Sequence, residues 1–225
     1  DNERYVGEGI ATAAVDRDAV FLASKIHFEN FAREDVRAST EASLERLGTD
    51  YLDLLYVHWP THTYEASETL PAIERLYDEG AIEHVGLSNY TPELLDEARE
   101  IMDVPITAHQ GECHPLLQQE ELREYAREHD HWLVAYSPLA QGEVFEDPTI
   151  QDIAAKHGVP PAAVSLAWLD AKENVVPIPK ASSREHLQAN LTAFDLRLDP
   201  EDVAAIDAID REHRVIDPDF APWNQ

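Results

Sequence analysis

Residues 51–60 of the chain read YLDLLYVHWP. The middle of this stretch, DLLYV at 53–57, is short and almost wholly apolar, which is typical of a strand in a parallel sheet covered on both faces. The apolar run stops at His58, whose side chain can both donate and accept hydrogen bonds. The stretch therefore predicts a buried strand that delivers a histidine to its carboxyl end.

Five further apolar runs have strand length, and helical patterns lie between them. The runs are VFLAS at 20–24, HVGL at 84–87, ITAH at 106–109, WLVAY at 132–136 and VVPI at 175–178. Strand and helix therefore alternate along the chain. This alternation indicates a parallel sheet, either open or closed into an eight-stranded barrel.

Helix starts are marked by a capping residue followed by proline at the first helical position. The pairs are Thr91-Pro92, Asp147-Pro148 and Asp199-Pro200. Apolar side chains at helical spacing predict helices over 33–48 and 91–102. A further helical pattern, NERYVGEGIATAA at 2–14, opens the chain with no strand ahead of it. Because a barrel needs eight strands, we expect about two strands and one helix to precede residue 1.

Charge is the unusual feature of the composition. The 225 residues include 45 acidic and 17 basic side chains, giving a net charge of −28, and 44% of the residues are hydrophobic. Such a surface would repel nucleic acid, and no apolar run approaches the roughly 18 residues of a membrane span. The balance predicts a halophilic protein, because molar salt screens self-repulsion to within about 3 Å; the alternative is an ordinary acidic mesophile protein. A single cysteine, Cys113, predicts a cytoplasmic location.

Polar residues stand at the end of every predicted strand, where parallel α/β proteins place their chemistry. They are Ser24-Lys25, His58-Trp59-Pro60, Ser88-Asn89-Tyr90, Gln110 with Glu112, Tyr136-Ser137, and Lys180 with Ser182 and Ser183. Each has a structural interpretation when taken alone: Lys25 as a solvated strand-end lysine, or His58 as a core histidine bonded to a backbone carbonyl. Taken together, the six ends indicate a functional site.

These strand ends carry a resemblance to a known family. FLASKIH, DLLYVHWP, HVGLSNY, QGECHP, VAYSPLA and PIPKASS resemble, in order and spacing, the motifs of the aldo-keto reductases. The tail at 198–224 resembles the prokaryotic branch that includes 2,5-diketo-D-gluconic acid reductases. The resemblance implies an α/β (β/α)8 TIM barrel, here N-terminally incomplete, as a single domain over 1–225. It also implies reduction of aldehydes or ketones, such as sugar-derived carbonyls or small dicarbonyls, by hydride from NADPH.

The resemblance makes Lys25 and His58 catalytic. An imidazole at the barrel mouth would orient and polarise the substrate carbonyl, whose oxygen gains negative charge on hydride addition. The family's catalytic aspartate and proton-donating tyrosine belong to a motif that ends in Asn-Glu, matched here by Asn2-Glu3. Both are therefore expected ahead of residue 1, which leaves the activity of residues 1–225 alone an open question.

The resemblance also assigns the cofactor site. It places Ser88, Asn89 and Gln110 on the nicotinamide carboxamide, Tyr136 on the nicotinamide face, Ser137 and Leu139 at the pyrophosphate, and Lys180, Ser182, Arg184, His186 and Asn190 at the adenosine end. The family often has arginine where this chain has His186. We therefore expect NADP(H) with some tolerance of NAD(H), although Arg184 could compensate.

For the substrate, the resemblance makes His27, Trp59 and Trp223 pocket residues, with 211–225 folded over the mouth. Many relatives have tryptophan at the position of His27, so we predict a polar small-molecule carbonyl substrate. The full-length protein is expected to be a monomer, with no nucleic acid or membrane partner.

Two other functions stay open. Lys25 could form a Schiff base in a lyase, which would leave the Ser88-Asn89 and Lys180 features unexplained. A non-catalytic barrel that only binds cofactor, or a truncated remnant, is the second. No metal site is predicted: Pro60 breaks the helix that a His58 and His62 pair would need, and Glu112-Cys113-His114 has no further ligand nearby in the sequence.

Overall fold

The computed structural model describes residues 2–225 as strands alternating with helices. The strands within this range are β1 (Ala23–Ile26), β2 (Leu52–Val57), β3 (Ile82–Ser88), β4 (Ile106–Glu112), β5 (Trp132–Tyr136) and β6 (Val175–Pro177). The α-helices are α1 (Glu3–Thr12), α2 (Arg33–Leu47), α3 (Ala66–Asp78), α4 (Pro92–Ile101), α5 (Glu120–Glu128), α6 (Pro148–His157), α7 (Pro161–Asp170), α8 (Arg184–Leu191) and α9 (Pro200–Asp207). Short 3-10 turns lie at Arg17–Ala19, Ala140–Glu146, Thr192–Phe194 and Pro222–Asn224. The strands form one sheet in the order in which they follow each other along the chain.

The chain divides into two compact units. One comprises Asp1–His109 with Phe220–Gln225, and the other comprises Gln110–Asp219. In the first unit β1 and β3 both pair in parallel with β2. In the second unit β5 and β6 pair in parallel. Closure into an eight-stranded barrel and a single domain over 1–225 stay predictions.

The centre of the first unit is β2, in which every residue from Leu52 to Val57 is buried. Its one charged residue, Asp53, has two donors: its Oδ2 accepts hydrogen bonds from Arg17 Nη2 and from the backbone N–H of Leu22, each at 2.8 Å. A buried carboxylate is tolerated only when it is paired and hydrogen-bonded in this way. The acidic residue inside an apolar strand is thereby explained.

The centre of the second unit is α7, which is buried over most of its length. Trp168 is completely buried among apolar side chains that include Ile150, Leu133 and Ile206. Its indole Nε1 donates a hydrogen bond to Asp207 Oδ1 at 2.7 Å, so the polar atom of this ring is satisfied.

The helices predicted over 2–14, 33–48 and 91–102 are confirmed, with bounds that differ by no more than two residues. The helix starts predicted at Pro92, Pro148 and Pro200 are confirmed as well. Asp147 accepts hydrogen bonds from the N–H groups of Thr149 and Ile150, and Asp199 forms a capping box. Thr91 stands at the start of α4 but makes no side-chain cap.

Three strand predictions differ from the structure by two or more residues, and one of them, the run at 84–87, is too short because β3 spans Ile82–Ser88. The run at 20–24 is displaced, because β1 spans Ala23–Ile26: the strand begins three residues later than predicted and ends two residues later, so Lys25 lies inside it. The reason is that Leu22 N–H is taken by the Asp53 side chain and Val20 C=O by Arg17 Nη1. The run at 106–109 is too short, because β4 continues to Glu112. Every helix within residues 2–225 is too short or too polar to span a bilayer.

Candidate active site

Lys25 in β1 is positioned by an aromatic ring in the neighbouring strand. Its register partner in β2 is Tyr56, and Lys25 Nζ lies 5.2 Å from the centre of the Tyr56 ring. Tyr56 pairs in turn with Gly86 of β3, where an added Cβ would come within 2.5 Å of the Tyr56 ring. Burial lowers the pKa of the Lys25 ammonium. The solvated strand-end interpretation of Lys25 is therefore wrong, because the side chain is half-buried over a ring.

His58 follows β2 directly and is half-buried. Burial lowers its pKa to about 4, and electrostatic interactions with Lys25 and His27 act in the same direction. The imidazole is therefore neutral at neutral pH, with one N–H to donate. A neutral donor beside a lysine is suited to hydrogen-bonding a carbonyl oxygen on which negative charge develops.

Ser88 and Asn89 join the ends of β2 and β3. Asn89 has a φ of 63°, in the left-handed region that asparagine tolerates better than most residues. From this conformation its Nδ2 donates to the backbone carbonyl of His58 at 2.9 Å and to Ser88 Oγ at 3.1 Å. Both residues are buried. The left-handed turn therefore fixes the backbone that carries His58.

Aromatic rings gather around His58 in the first unit. Phe28 lies with its ring centre 4.0 Å from that of His27, 4.5 Å from that of His62 and 6.4 Å from that of His58. Phe220 lies 6.0 Å from Phe28. These rings form an apolar wall edged by imidazoles.

The C-terminal residues complete this wall. The rings of Phe220 and Trp223 each lie 5.5 Å from Trp59, which is itself buried. Phe220 also meets His62 edge-on at 5.3 Å. The structure thus brings together the predicted pocket residues Trp59 and Trp223.

In the second unit, the predicted nicotinamide residues lie in β4 and at the end of β5. Gln110 is buried inside β4, and Tyr136 is half-buried as the last residue of β5. Burial raises the pKa of the Tyr136 hydroxyl well above its usual value, and the charge of Glu112 adds to the effect. The hydroxyl is therefore a neutral group that does not titrate in ordinary buffers.

The loop after β5 has an unusual backbone. Ser137 has a φ of 47°, and Ala140 and Gln141 also have positive φ. The hydroxyl of Ser165 donates to the Pro138 carbonyl at 2.7 Å, which holds this loop against α7. Leu139 is half-buried in the same loop.

The predicted adenosine residues lie between β6 and α8 and are mostly exposed. Lys180, Ser182, Arg184 and His186 are exposed, whereas Asn190 near the end of α8 is half-buried. Ser183 caps the helix, because its Oγ accepts a hydrogen bond from His186 N–H at 3.1 Å. A helix N-terminus beside two cations is a favourable place for a phosphate.

Some features of the site were not anticipated from the sequence. Phe28 and His62 contribute rings to the wall near His58, whereas the sequence pattern suggested only a metal-ligand role for His62. The contact between Lys25 and the Tyr56 ring was also not predicted, although Tyr56 and Gly86 lie at matching positions of adjacent strand runs. Pairing of the two runs in register was the signal that would have found it.

One group of side chains has the composition of a metal site. Ligand atoms of His157, Asp199 and Asp202 lie within 4.8 Å of one another. Lys156 Nζ lies between the two carboxylates, 2.5 Å from Asp199 Oδ2 and 2.7 Å from Asp202 Oδ1. The ammonium already supplies the positive charge, so the group acts as a link between α6 and α9.

The chain matches one protein family over nearly its whole length. A model of the Aldo/keto reductase family matches residues 1–211. The glyoxal reductase of Bacillus subtilis (strain 168) is 38% identical over 214 residues, covering 95% of this chain and 77% of the relative. The methylglyoxal reductase DkgB of Escherichia coli O157:H7 is 37% identical over 229 residues, covering 100% of this chain and 85% of the relative. The chain therefore belongs to the aldo/keto reductase family and is an oxidoreductase.

Solved structures agree with this assignment. A crystal structure assigned as a 2,5-diketo-D-gluconic acid reductase B has a TM-score of 0.94 at 33% identity, covering 98% of this chain and 79% of that chain. The Bombyx mori aldo-keto reductase in complex with NADP has a TM-score of 0.88 at 28% identity, covering 97% of this chain and 78% of that chain. The resemblance inferred from the strand ends is confirmed, and an oxidoreductase is favoured over a Schiff-base lyase.

Proposed function

We propose that the protein reduces small aldehydes and ketones, dicarbonyls such as methylglyoxal and glyoxal among them, to alcohols with NAD(P)H. The observation that carries the proposal is that a half-buried Lys25 in β1 acts electrostatically on a neutral His58, which directly follows the neighbouring strand β2. Relatives of the chain are glyoxal and methylglyoxal reductases, which supports the substrate class.

In this proposal the chain's own residues bind and polarise the carbonyl. The neutral imidazole of His58 donates a hydrogen bond to the carbonyl oxygen, and the positive charge of Lys25 stabilises the negative charge that grows there. A nicotinamide dinucleotide, when bound, would supply the hydride for the carbonyl carbon. Reduction also requires one proton on the oxygen. The aromatic rings of Phe28, Trp59 and Phe220 give this end of the first unit an apolar face.

The residues assigned to the dinucleotide fit it chemically. Ser88, Asn89 and Gln110 are buried hydroxyl and amide groups, the type that a carboxamide needs. Lys180 and Arg184 are exposed cations in a chain of net charge −28, placed beside the N-terminus of α8. We propose that they contact the adenosine 2′-phosphate, so that NADP(H) is preferred over NAD(H).

The imidazoles of His27 and His62, at the edge of the aromatic wall, indicate which carbonyl compounds would bind. His27 and His62 flank Phe28 within 4.5 Å, so a substrate with a second oxygen finds donors beside an apolar face. We propose that small oxygenated carbonyls react faster than aromatic aldehydes. A cytoplasmic, salt-adapted monomer remains the proposed setting of this activity.

The test is a steady-state assay of the purified protein with methylglyoxal, glyoxal and benzaldehyde, in NADPH or NADH, over a range of salt concentrations. We expect NADPH to be consumed in equal amount to the alcohol formed. Reduction of the mixture with borohydride should leave the mass of the protein unchanged. A covalent adduct on Lys25 would indicate a lyase instead, and tight NADPH binding without turnover would indicate a module that only binds cofactor.

A further inference from the structure

Glu112 ends β4 and is almost fully buried, with 1% of its surface exposed. Its Oε1 accepts hydrogen bonds from His114 Nε2 at 3.0 Å and from the backbone N–H of Val215 at 2.6 Å. Its Oε2 accepts one from the backbone N–H of Ile216 at 2.8 Å. These three partners are donors, which suits an ionised carboxylate with acceptor sites only.

The carboxylate is oriented by a second buried group. His114 is fully buried, and its Nδ1 accepts a hydrogen bond from the backbone N–H of Leu116 at 3.2 Å. The ring proton must therefore lie on Nε2, the atom that faces Glu112. The Glu112 carbonyl is held as well, by Gln119 Nε2 at 2.8 Å. Three contacts within residues 112–119 thus fix Glu112 independently of the C-terminal segment.

The C-terminal segment has other attachments, among them a backbone hydrogen bond from His213 N–H to the Leu116 carbonyl at 2.7 Å and two ion pairs. Glu143 bonds to Arg211 Nη2 at 2.9 Å and to His213 Nε2 at 3.0 Å, and all three side chains are more than one-third exposed. Exposed ion pairs contribute little to stability. Glu112 instead binds two successive backbone N–H groups in a buried place, so it constrains the path of the main chain.

The constrained backbone leads directly to the aromatic wall. Residues 217–219 separate Ile216 from Phe220, whose ring lies 5.5 Å from Trp59. Trp223 follows and lies at the same distance from Trp59. Phe220 is therefore only four residues along the chain from the last backbone N–H that Glu112 binds.

We propose that Glu112 is a positioning residue that sets the path of the C-terminal segment and, through Phe220 and Trp223, the affinity for the carbonyl substrate. This inference rests on the proposed function for its catalytic consequence. It gives a role to a Glu-Cys-His motif whose residue types alone suggest a metal. The geometry assigns the carboxylate to backbone N–H groups and the imidazole to the carboxylate.

The experiment compares Glu112→Gln and Glu112→Asp with Glu143→Gln as the matched control. Glutamine keeps the shape but presents an NH2 group where the carboxylate accepts. We expect Glu112→Gln to raise KM for methylglyoxal by about tenfold, because displaced positioning groups weaken binding and orientation. Its kcat and its Kd for NADPH should change less than about threefold. Glu112→Asp should restore part of the loss, and Glu143→Gln should match the wild type.

Amide hydrogen exchange gives a readout that needs no activity. In the wild type the amides of Val215 and Ile216 should be protected, and Glu112→Gln should expose them while the exchange of Leu133 in β5 stays slow. Unprotected amides at 215 and 216 in the wild type, or an unchanged KM in both Glu112 variants, would overturn the proposal. If Glu112→Gln does not fold, the wild-type exchange and Glu112→Asp still decide. If the wild type reduces no carbonyl but shows the expected protection at 215 and 216, the proposed function is wrong. The role of Glu112 in holding the C-terminal backbone is then still supported.

Discussion

Lys25 Nζ lies 5.2 Å from the centre of the Tyr56 ring, its register partner in the neighbouring strand. Tyr56 occupies the space that a side chain at position 86 would need. The position of the ammonium therefore depends on a glycine two strands away. Contacts between an ammonium and an aromatic face contribute about 0.5–1 kcal/mol at exposed sites and more when desolvated.

Gly86→Ala should therefore lower both stability and activity. The new Cβ would meet the Tyr56 ring at 2.5 Å, so the ring must move and Lys25 must follow. We expect a loss of about 1–3 kcal/mol in the free energy of unfolding, together with reduced kcat. Gly9→Ala is the control: nothing lies within 4 Å of its added Cβ, and alanine favours the helix. Urea unfolding would measure both, and equal stability of the two variants would contradict the packing argument.

Lys25→Met should separate activity from stability. Removal of a charge from beside the reacting oxygen should lower kcat by about a hundredfold or more. The pKa of Lys25 is lowered by burial, which means that the fold disfavours its charge, so methionine should raise the melting temperature.

Lys172→Met is the matched control for Lys25. Lys172 pairs with Asp207 at 2.7 Å, and neither residue is among those assigned to the candidate active site. We expect normal kcat and a loss of up to about 1 kcal/mol in the free energy of unfolding. Both variants would be measured by NADPH consumption and thermal melting. A Lys25→Met protein that is fully active would exclude the catalytic role.

The lowered pKa of His58 predicts a dependence of stability on pH. The folded-state pKa is about 4, against an ordinary value near 6.5, so the unfolded chain binds more protons between these values. Stability is fully present above pH 6.5 and is lost as pH falls toward 4. His58→Gln should flatten this part of the stability curve. Denaturant titrations at several pH values would show it, and parallel curves for wild type and variant would contradict the shift.

Asn89 offers a pair of substitutions that separate backbone strain from a hydrogen bond. Asn89→Gly keeps the φ of 63° without steric strain but leaves the His58 carbonyl without the Nδ2 donor. That loss should cost about 1–3 kcal/mol. Asn89→Ala should cost roughly 1–2 kcal/mol more, because a Cβ is disfavoured in the left-handed region. Equal losses in urea unfolding would mean that the turn relaxes.

Cofactor preference should follow the cations near α8. Lys180→Ala should raise the Kd for NADPH by about tenfold or more and hardly change that for NADH, because only NADPH carries the 2′-phosphate. His186→Arg should shift preference further toward NADPH. Fluorescence titrations at one fixed salt concentration would measure both effects, since salt screens the attraction. Equal weakening of both cofactors by Lys180→Ala would argue against a phosphate contact.

The order of elements and the helix boundaries were predictable from the sequence, because local signals determine them. Proline after a capping residue marks α4, α6 and α9, and a buried apolar run marks β2. The start of β1 was not predictable, because the Asp53 side chain takes the Leu22 N–H that a longer strand would have used. A hydrogen bond between a side chain and a backbone group 31 residues apart produces no periodic pattern in the sequence.

The candidate site was predictable only in part for the same reason. Strand-end residues such as Lys25 and His58 stand out by position. Phe28 is recognisable as part of the aromatic wall only from its contact with Phe220. Glu112 is recognisable as a positioning residue only from its hydrogen bonds to the backbone at 215–216. Sequence spacing carries no record of contacts between such distant segments.

The hydrogen bond from Asn89 to the His58 carbonyl has an evolutionary consequence. It ties the backbone that carries the imidazole to β3 without using the imidazole itself. Residues that shape the wall, such as His27 and Trp223, belong to other segments of the chain. Mutations in those segments can therefore change which carbonyl compounds bind while His58 keeps its position. New substrate specificity can evolve in this way without a change in the catalytic group.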